Sequence, residues 1–291
     1  MNYKEVLDKA CKELLNLKGQ ILDVLDVKKP HSLAYGQHLA KVISKISPLI
    51  GNMIEFSIIE QLNSLDWKGL GVWIRQDPGF PDALFKSKLE PQPGIEIKTW
   101  FPLATEITAR FKDSVSHFDN NQINVALVAW LPEFLIYGKP KIIDVWIGSA
   151  KSVAESRDKH YHNPPDYLVF EPEDTSSRTQ NLQQTNTNGY KFQDSASDFA
   201  KAEKEVLSWG KDGKVFNSSK EYQAKIKTLL GKYSYRLDTN FAKMDRIEHK
   251  ELEEFKSKIL KIKIDNKTIK DWAGLVTSDD KVIENMVKEI I

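Results

Sequence analysis

Residues 79–100 read GFPDALFKSKLEPQPGIEIKTW, and the fold turns on how this stretch is read. Gly94, Ile95 and Ile97 around Glu96 and Lys98 predict a β-strand, in which successive side chains alternate between faces. Glu96 and Lys98 then share one face, while Ile95 and Ile97 point the other way, toward a core. Pro81-Asp82 opens a second short strand (82–86), and the turn-rich SKLEPQPG leads back into Gly94–Lys98. A hairpin of this kind brings the ends of its strands together, so Asp82 and Glu96 converge.

Context separates this stretch from the rest of a charged sequence. Seven other acid-x-Lys triplets occur, at 26, 66, 212, 248, 254, 265 and 279, and all lie in helical or loop-like segments. Of the two Pro-Asp pairs, at 81–82 and 165–166, only the first is followed within 25 residues by such a triplet. Two carboxylates on one side make a hard oxygen site suited to Mg²⁺. Lys98 beside them supplies a cation that can orient or deprotonate a water, or balance charge on a phosphate. Phosphodiester cleavage needs this combination of metal, activated water and positive charge.

Around the hairpin, the pattern is helices followed by strands. Apolar residues at helical spacing (Val6, Ala10, Leu14, Leu15, Leu22) predict a helix over 2–26, a second covers 33–46, and Ser47-Pro48 starts a third through about Leu65. Strands are expected at 71–75, 82–86, 94–100, 105–111, 123–131 and 141–148. This order predicts an α/β (α+β) fold with a mixed sheet flanked by helices. Segment 173–198 is rich in Thr, Ser, Asn and Gln, and helices resume near 197–209, 219–231 and 244–262. The expected organisation is N-terminal helices (1–47), a core (48–172), a polar loop (173–198) and a helical C-terminal region (199–291).

The chain has 291 residues with 41% hydrophobic and 29% charged, the balance of a soluble globular protein. Its apolar runs, such as NVALVAWL, are too short to span a membrane, and the charged N-terminus lacks the apolar centre of a secretion signal. A single cysteine, Cys11, excludes an internal disulfide framework and suits the cytoplasm. The net charge of +1 gives no global basic field. No phosphate-cradling Gly-rich loop is present, so no nucleotide cofactor is expected.

Pro81-Asp82, thirteen intervening residues and Glu96-Ile97-Lys98 together resemble the signature of the PD-(D/E)xK nuclease superfamily. Its restriction endonuclease and MutH-like branches carry a glutamate on the helix before the hairpin, often as Gly-x-x-x-Glu, and GNMIE supplies Gly51 and Glu55. The order GIEIKT, TEITARF, VALVAWLPE is also similar to the strands of MutH-like and EcoRV-like enzymes. The match covers roughly residues 48–148. It implies a type II restriction endonuclease with a restriction-endonuclease-like core, cutting double-stranded DNA with Mg²⁺, commonly as a homodimer. Asp82 and Glu96 would bind the metal with the Ile97 carbonyl, Lys98 would activate the water, and Glu55 would help hold a metal or tune the site. Mismatch-repair nicking enzymes and transposon-end nucleases share this core. Outside enzymes, the same acids and lysine could form an ion-pair cluster on a non-catalytic DNA-binding module.

Base reading would fall to the polar loop. Asn and Gln pair bidentately with adenine, and Arg or Lys with guanine. Arg178, Gln180, Asn181, Gln183, Gln184, Asn186, Asn188 and Lys191 supply such groups, in a stretch similar in composition and position to the recognition loop of EcoRV-like enzymes. A disordered linker is the competing reading of the same composition. His160 and His162 stand two apart in what reads as a loop, without a Cys or acidic partner at ligand spacing. Trp100 and Phe101 are expected in the core, and Cys11 has no partners for nucleophilic chemistry.

Overall fold

The computed structural model describes residues 1–76, 79–103, 115, 121–162, 189–192, 194–211, 213, 219–238 and 248–291. The expected mixed sheet is present. Its five strands are β1 (Gly71–Arg75), β2 (Ala83–Ser87), β3 (Gly94–Trp100), β4 (Ile123–Pro132) and β5 (Pro140–Ser149), adjacent in that order. All neighbours are antiparallel except β3 and β4, which run parallel. The strand expected at 105–111 lies outside the described residues. The chain divides into two units, Met1–Ile107 with Ser116–Val153 and His249–Ile291, and Thr108–Val115 with Ala154–Glu248.

In the first unit, α1 (Tyr3–Leu15) and α3 (Ser47–Ser64) pack on the sheet. Helix α1 starts with a capping box in which Asn2 and Glu5 exchange hydrogen bonds. Ile50, Ile54, Ile58 and Leu62 recur along α3 and are all buried. The continuous helical stretch Leu33–Ser64 is long and apolar enough to cross a membrane by length and composition. Here it comprises α2 (Leu33–Val42), a 3₁₀ turn (Ile43–Ile46) and α3, the last packed on β1 and β3. The core is aromatic at the hairpin end, where Trp67, Trp73 and Phe85 meet within 6.0 Å. Trp100 and Phe101 are buried as expected, against Phe255 and Trp130.

Helix α1 is shorter than the pattern over 2–26 predicts. After Leu15 the chain turns at Gly19, whose φ of +82° favours glycine. It then runs along the outer edge of β5. Gly19 N and Leu22 N donate to the carbonyls of Ile142 and Pro140 (both 2.8 Å), Ile142 N donates to Gln20 O (2.8 Å), and Val27 pairs with Gly138. Backbone groups of an edge strand need partners, and meeting that need outweighs one more helical turn. At the opposite edge, the Asn63 side chain accepts from Trp73 N and donates to Trp73 O, both at 2.8 Å.

The C-terminal helices of this unit are α7 (Lys250–Leu260), α8 (Ile269–Val276) and α9 (Asp280–Ile290). Asp265 and Asn266, with φ of 48° and 68°, form the tight turn between the two short strands β8 (Lys263–Ile264) and β9 (Lys267–Thr268). Buried Asp144 on β5 binds Lys258 of α7 (2.6 Å) and Lys18 (3.1 Å). Burial opposes its charge, but these bonds and Val145 N outweigh it and hold its pKa below the usual carboxylate value.

The second unit contains α5 (Ala196–Leu207) and α6 (Lys220–Lys232), with a two-stranded sheet of β6 (Gly189–Phe192) and β7 (Tyr235–Asp238). Phe192, Val206, Ile226 and Leu229 form its core. The expected polar loop, 173–198, therefore ends in a strand and the start of a helix. Phe192 is the cause, because burying an aromatic side chain among Phe199, Tyr233 and Tyr235 outweighs the polar composition around it. His160 and His162 fall within α4 (Ala150–His162) and not in a loop.

Candidate functional site

The β2–β3 hairpin is built by residues with narrow geometric roles. Ser87 Oγ accepts from Leu89 N (3.1 Å), and Gln92 Nε2 donates to Ser87 O (3.0 Å), closing the turn. Gly94 opens β3 because a Cβ there would collide with the Pro81 ring. Gln76 anchors the Pro81-Asp82 backbone. Its backbone N donates to Asp82 O (2.9 Å) and its side chain to Pro81 O (3.1 Å). Pro81-Asp82 is thus clamped between Gln76 and β3. Gly94→Ala is expected to push Pro81 away and cost about 1–3 kcal/mol, since a proline ring cannot rotate clear. Thermal melts would measure the loss, and unchanged stability would contradict the clamp.

The β2–β3 ladder pairs Ala83 with Ile95 and Leu84 with Gly94. Its next step, Asp82 opposite Glu96, is completed by side chains. Asp82 Oδ2 accepts from Ile97 N at 2.8 Å, and Glu96 Oε2 accepts from Asp82 N at 3.1 Å. The two carboxylates therefore occupy positions that backbone groups fill elsewhere in the sheet, which fixes them to about the precision of the sheet itself. Lys98 Nζ lies between them, 3.2 Å from Asp82 Oδ2 and in an ion pair with Glu96 Oε1. Asp82, Glu96 and Lys98, read from sequence as one group, are one group in space.

Glu96 is only 6% exposed. Burial raises its pKa to about 7, with Lys98 opposing the rise and Asp82 adding to it. Burial also works against the Lys98 ammonium, but Glu96 and Asp82 outweigh it and hold the lysine pKa above its ordinary value. Ile95 and Ile97 are fully buried, as the alternation predicts. The polar face is closed as well, so strand β3 is buried from Gly94 through Ile97 on both sides.

Helix α3 brings Glu55 to the neighbourhood through Gly51. A Cβ on Gly51 would lie 2.5 Å from Thr99 Oγ1, so the missing side chain is what lets the helix approach β3 just beyond Lys98. Glu55 follows one turn later. Burial raises its pKa, Asp82 adds to the rise, and Lys98 and Arg75 oppose it. Its ion pair is with Arg75 Nη2 at 3.4 Å. The structure thus places Glu55 within the field of the site but on Arg75, and not on Lys98.

Among the described residues, no three His, Cys, Asp or Glu side chains are grouped to hold a metal ion. Asp82 and Glu96 still turn carboxylate oxygens toward one point, where Lys98 Nζ sits. Mg²⁺ commonly takes one or two carboxylates and keeps several waters. This donor set fits such an ion, and Asp82 and Glu96 are the residues that could hold it.

Of the expected base-reading residues, Arg178, Gln180, Asn181, Gln183, Gln184, Asn186 and Asn188 lie outside the described residues. Lys191 is on β6, where its backbone pairs with Arg236. Cys11 has a pKa raised by burial and accepts a hydrogen bond from Asn124 Nδ2 at 3.2 Å, the environment of a structural thiol. Sequence reading missed Arg75 and Gln76. Their signal was position, an arginine and an amide ending a strand just ahead of Pro81-Asp82. No family model matches the chain, and no curated protein or solved structure matches it.

Proposed function

We propose that this protein is a Mg²⁺-dependent endonuclease for double-stranded DNA, a type II restriction endonuclease of PD-(D/E)xK character. The observation that carries the reading is the convergence of Asp82, Glu96 and Lys98 across the β2–β3 hairpin, with both carboxylates tied to backbone N–H groups. A surface ion-pair cluster contributes little to stability and has no need of a buried glutamate whose pKa is raised to about 7. The mixed five-stranded sheet, with α3 packed beside β3, accords with a restriction-endonuclease-like core.

In this reading, Asp82 and Glu96 hold Mg²⁺ together with the Ile97 carbonyl. An ion held there would supply Lewis-acid polarisation of the phosphoryl group and help activate water. Lys98, fixed at 3.2 Å from Asp82, orients the attacking water and sets positive charge beside the developing phosphorane. Because Lys98 is an ammonium in the resting site, it accepts no proton until one is lost, and its first role is electrostatic. Base reading belongs to the polar segment that contains Arg178 to Lys191.

Plasmid DNA of known sequence, incubated with the protein and Mg²⁺, tests the reading. Discrete linear fragments that EDTA abolishes support a restriction enzyme. Nicked circles point to a mismatch-repair or transposon-end role instead. DNA binding with no cleavage in Mg²⁺ or Mn²⁺ would identify a non-catalytic module and overturn the proposal.

A further inference from the structure

We infer that His249 is a pH-sensitive cap of helix α7: as a neutral imidazole it holds the first turn of the helix, and as an imidazolium it releases that turn. This role stands whether or not the protein is a nuclease.

Helix caps are normally Ser, Thr, Asp or Asn, whose side-chain oxygens accept from a backbone N–H at ordinary pH. Helix α7 is capped by a histidine instead. His249 has an extended backbone (φ −127°, ψ 110°), and its carbonyl accepts from Glu253 N at 2.9 Å. Its Nδ1 accepts from Leu252 N at 3.4 Å. An imidazole nitrogen accepts only while it carries no proton. The cap bond therefore puts the proton of the neutral ring on Nε2, and Nε2–H donates to Ser152 Oγ of α4 at 3.0 Å. The same tautomer disposes of a nucleophile-and-base reading of this serine and histidine. A base for Ser152 would need a bare Nε2, and here that nitrogen holds the proton.

The ring is only 9% exposed, and Trp146 of β5 meets it nearly at right angles, 5.6 Å between centroids. The charged groups on the elements around it are Glu251 and Glu253 in the first turn of α7, Glu248 ahead of the cap, Lys151 and Glu155 on α4, and Asp144 on β5 with Lys18 and Lys258. Among the described residues, no carboxylate pairs with the ring. A proton on Nδ1 would point at the Leu252 N–H and leave that amide without its acceptor. It would also set a buried positive charge at the positive end of the helix dipole. Histidine in an unfolded chain becomes an imidazolium below about pH 6.5. The stability that the cap supplies is thus present above that range and lost as pH falls through it, because the unfolded chain then binds a proton that the capped helix excludes.

The cap also stands at a junction of the chain. Val153 is the last residue of the first unit before the chain enters the second, and His249 is the first on its return. The bond between Ser152 and His249 ties those two points together. Beyond the cap, α7 reaches the sheet through Phe255 on Trp100 and Lys258 on Asp144.

Long-range ¹⁵N NMR of the wild-type imidazoles at pH 7.5 tests the geometry without any variant. His249 is expected to show a protonated Nε2 and a bare Nδ1, and the opposite tautomer overturns the inference. Hydrogen exchange at the Leu252 amide, corrected for its intrinsic rate, tests the consequence on the full chain. Between pH 7.5 and pH 5.5 its protection should fall about fivefold in the wild type, the worth of one cap. It should stay level in His249→Asn, whose amide oxygen caps at either pH. Glu96 titrates in both proteins and cancels in the comparison. A level wild-type profile, or an equal fall in His249→Asn, overturns the inference.

Discussion

Lys98→Met is expected to lower Mg²⁺-dependent DNA cleavage by about 10²- to 10⁴-fold, the range spanned by positioned charge and proton-transfer groups. The same change should weaken the fold. Lys98 is bonded to buried Glu96, and removing one partner of a buried pair costs about 3–5 kcal/mol when the other stays charged. Glu96 can escape most of that cost by taking up a proton, so the loss should be small at pH 5 and larger at pH 8. Lys98→Arg separates the two effects. It should recover much of the stability, while its planar guanidinium reproduces the ammonium's point charge poorly and leaves cleavage low. Initial rates on a plasmid substrate and urea unfolding at the two pH values measure both. Cleavage retained in Lys98→Met would remove Lys98 from the chemistry.

Glu96 carries the second large effect, and its sign is the reverse of the usual acid. Its pKa in the folded chain is about 7, above the ordinary carboxylate value of 4.5, with burial as the main cause. Between those values the folded state holds a proton that the unfolded state has released. The contribution is therefore fully present below pH 4.5 and is lost as pH rises through 7. In EDTA, the wild-type protein should lose up to about 3 kcal/mol between pH 5 and pH 8 relative to Glu96→Gln, from 1.36 kcal/mol per pKa unit. Glutamine mimics the protonated acid and should show no such slope. Chemical denaturation at four or five pH values checks this, and parallel curves for the two proteins would contradict it. Lys98→Met and Glu96→Gln would then both be inactive, yet move stability in opposite directions at pH 8. A site shaped only for stability would not keep an acid that is better off neutral.

The parts of the fold that sequence made legible are those with strong local signals. Helix α3 was marked by Ser47-Pro48 and its apolar spacing, and β1, β3 and β4 by β-rich runs between turn residues. The Asp82–Glu96–Lys98 group was legible because strand alternation and a hairpin are local rules. Long-range partners were not. The helix expected over 2–26 ends at Leu15 because residues 19–27 satisfy the edge of β5, a strand more than a hundred residues away. Glu55 was found, but its partner Arg75 was not, since which cation an acid meets depends on strand register and not on sequence distance. The same limit hid Phe192 inside a polar stretch, where one aromatic residue decides the structure of its surroundings.

The treatment of the two sheet edges bears on how this protein can associate. Along β5, the hydrogen-bonding groups at Pro140 and Ile142 are taken by the chain's own residues 19–22, and along β1 those of Trp73 are taken by Asn63. A strand from another molecule would have to displace intramolecular bonds before adding its own. Growth by strand addition, the common route to fibrous aggregates, is obstructed at both ends of the sheet. If two copies pair, joining them at these edge positions of the five-stranded sheet would first require those bonds to break.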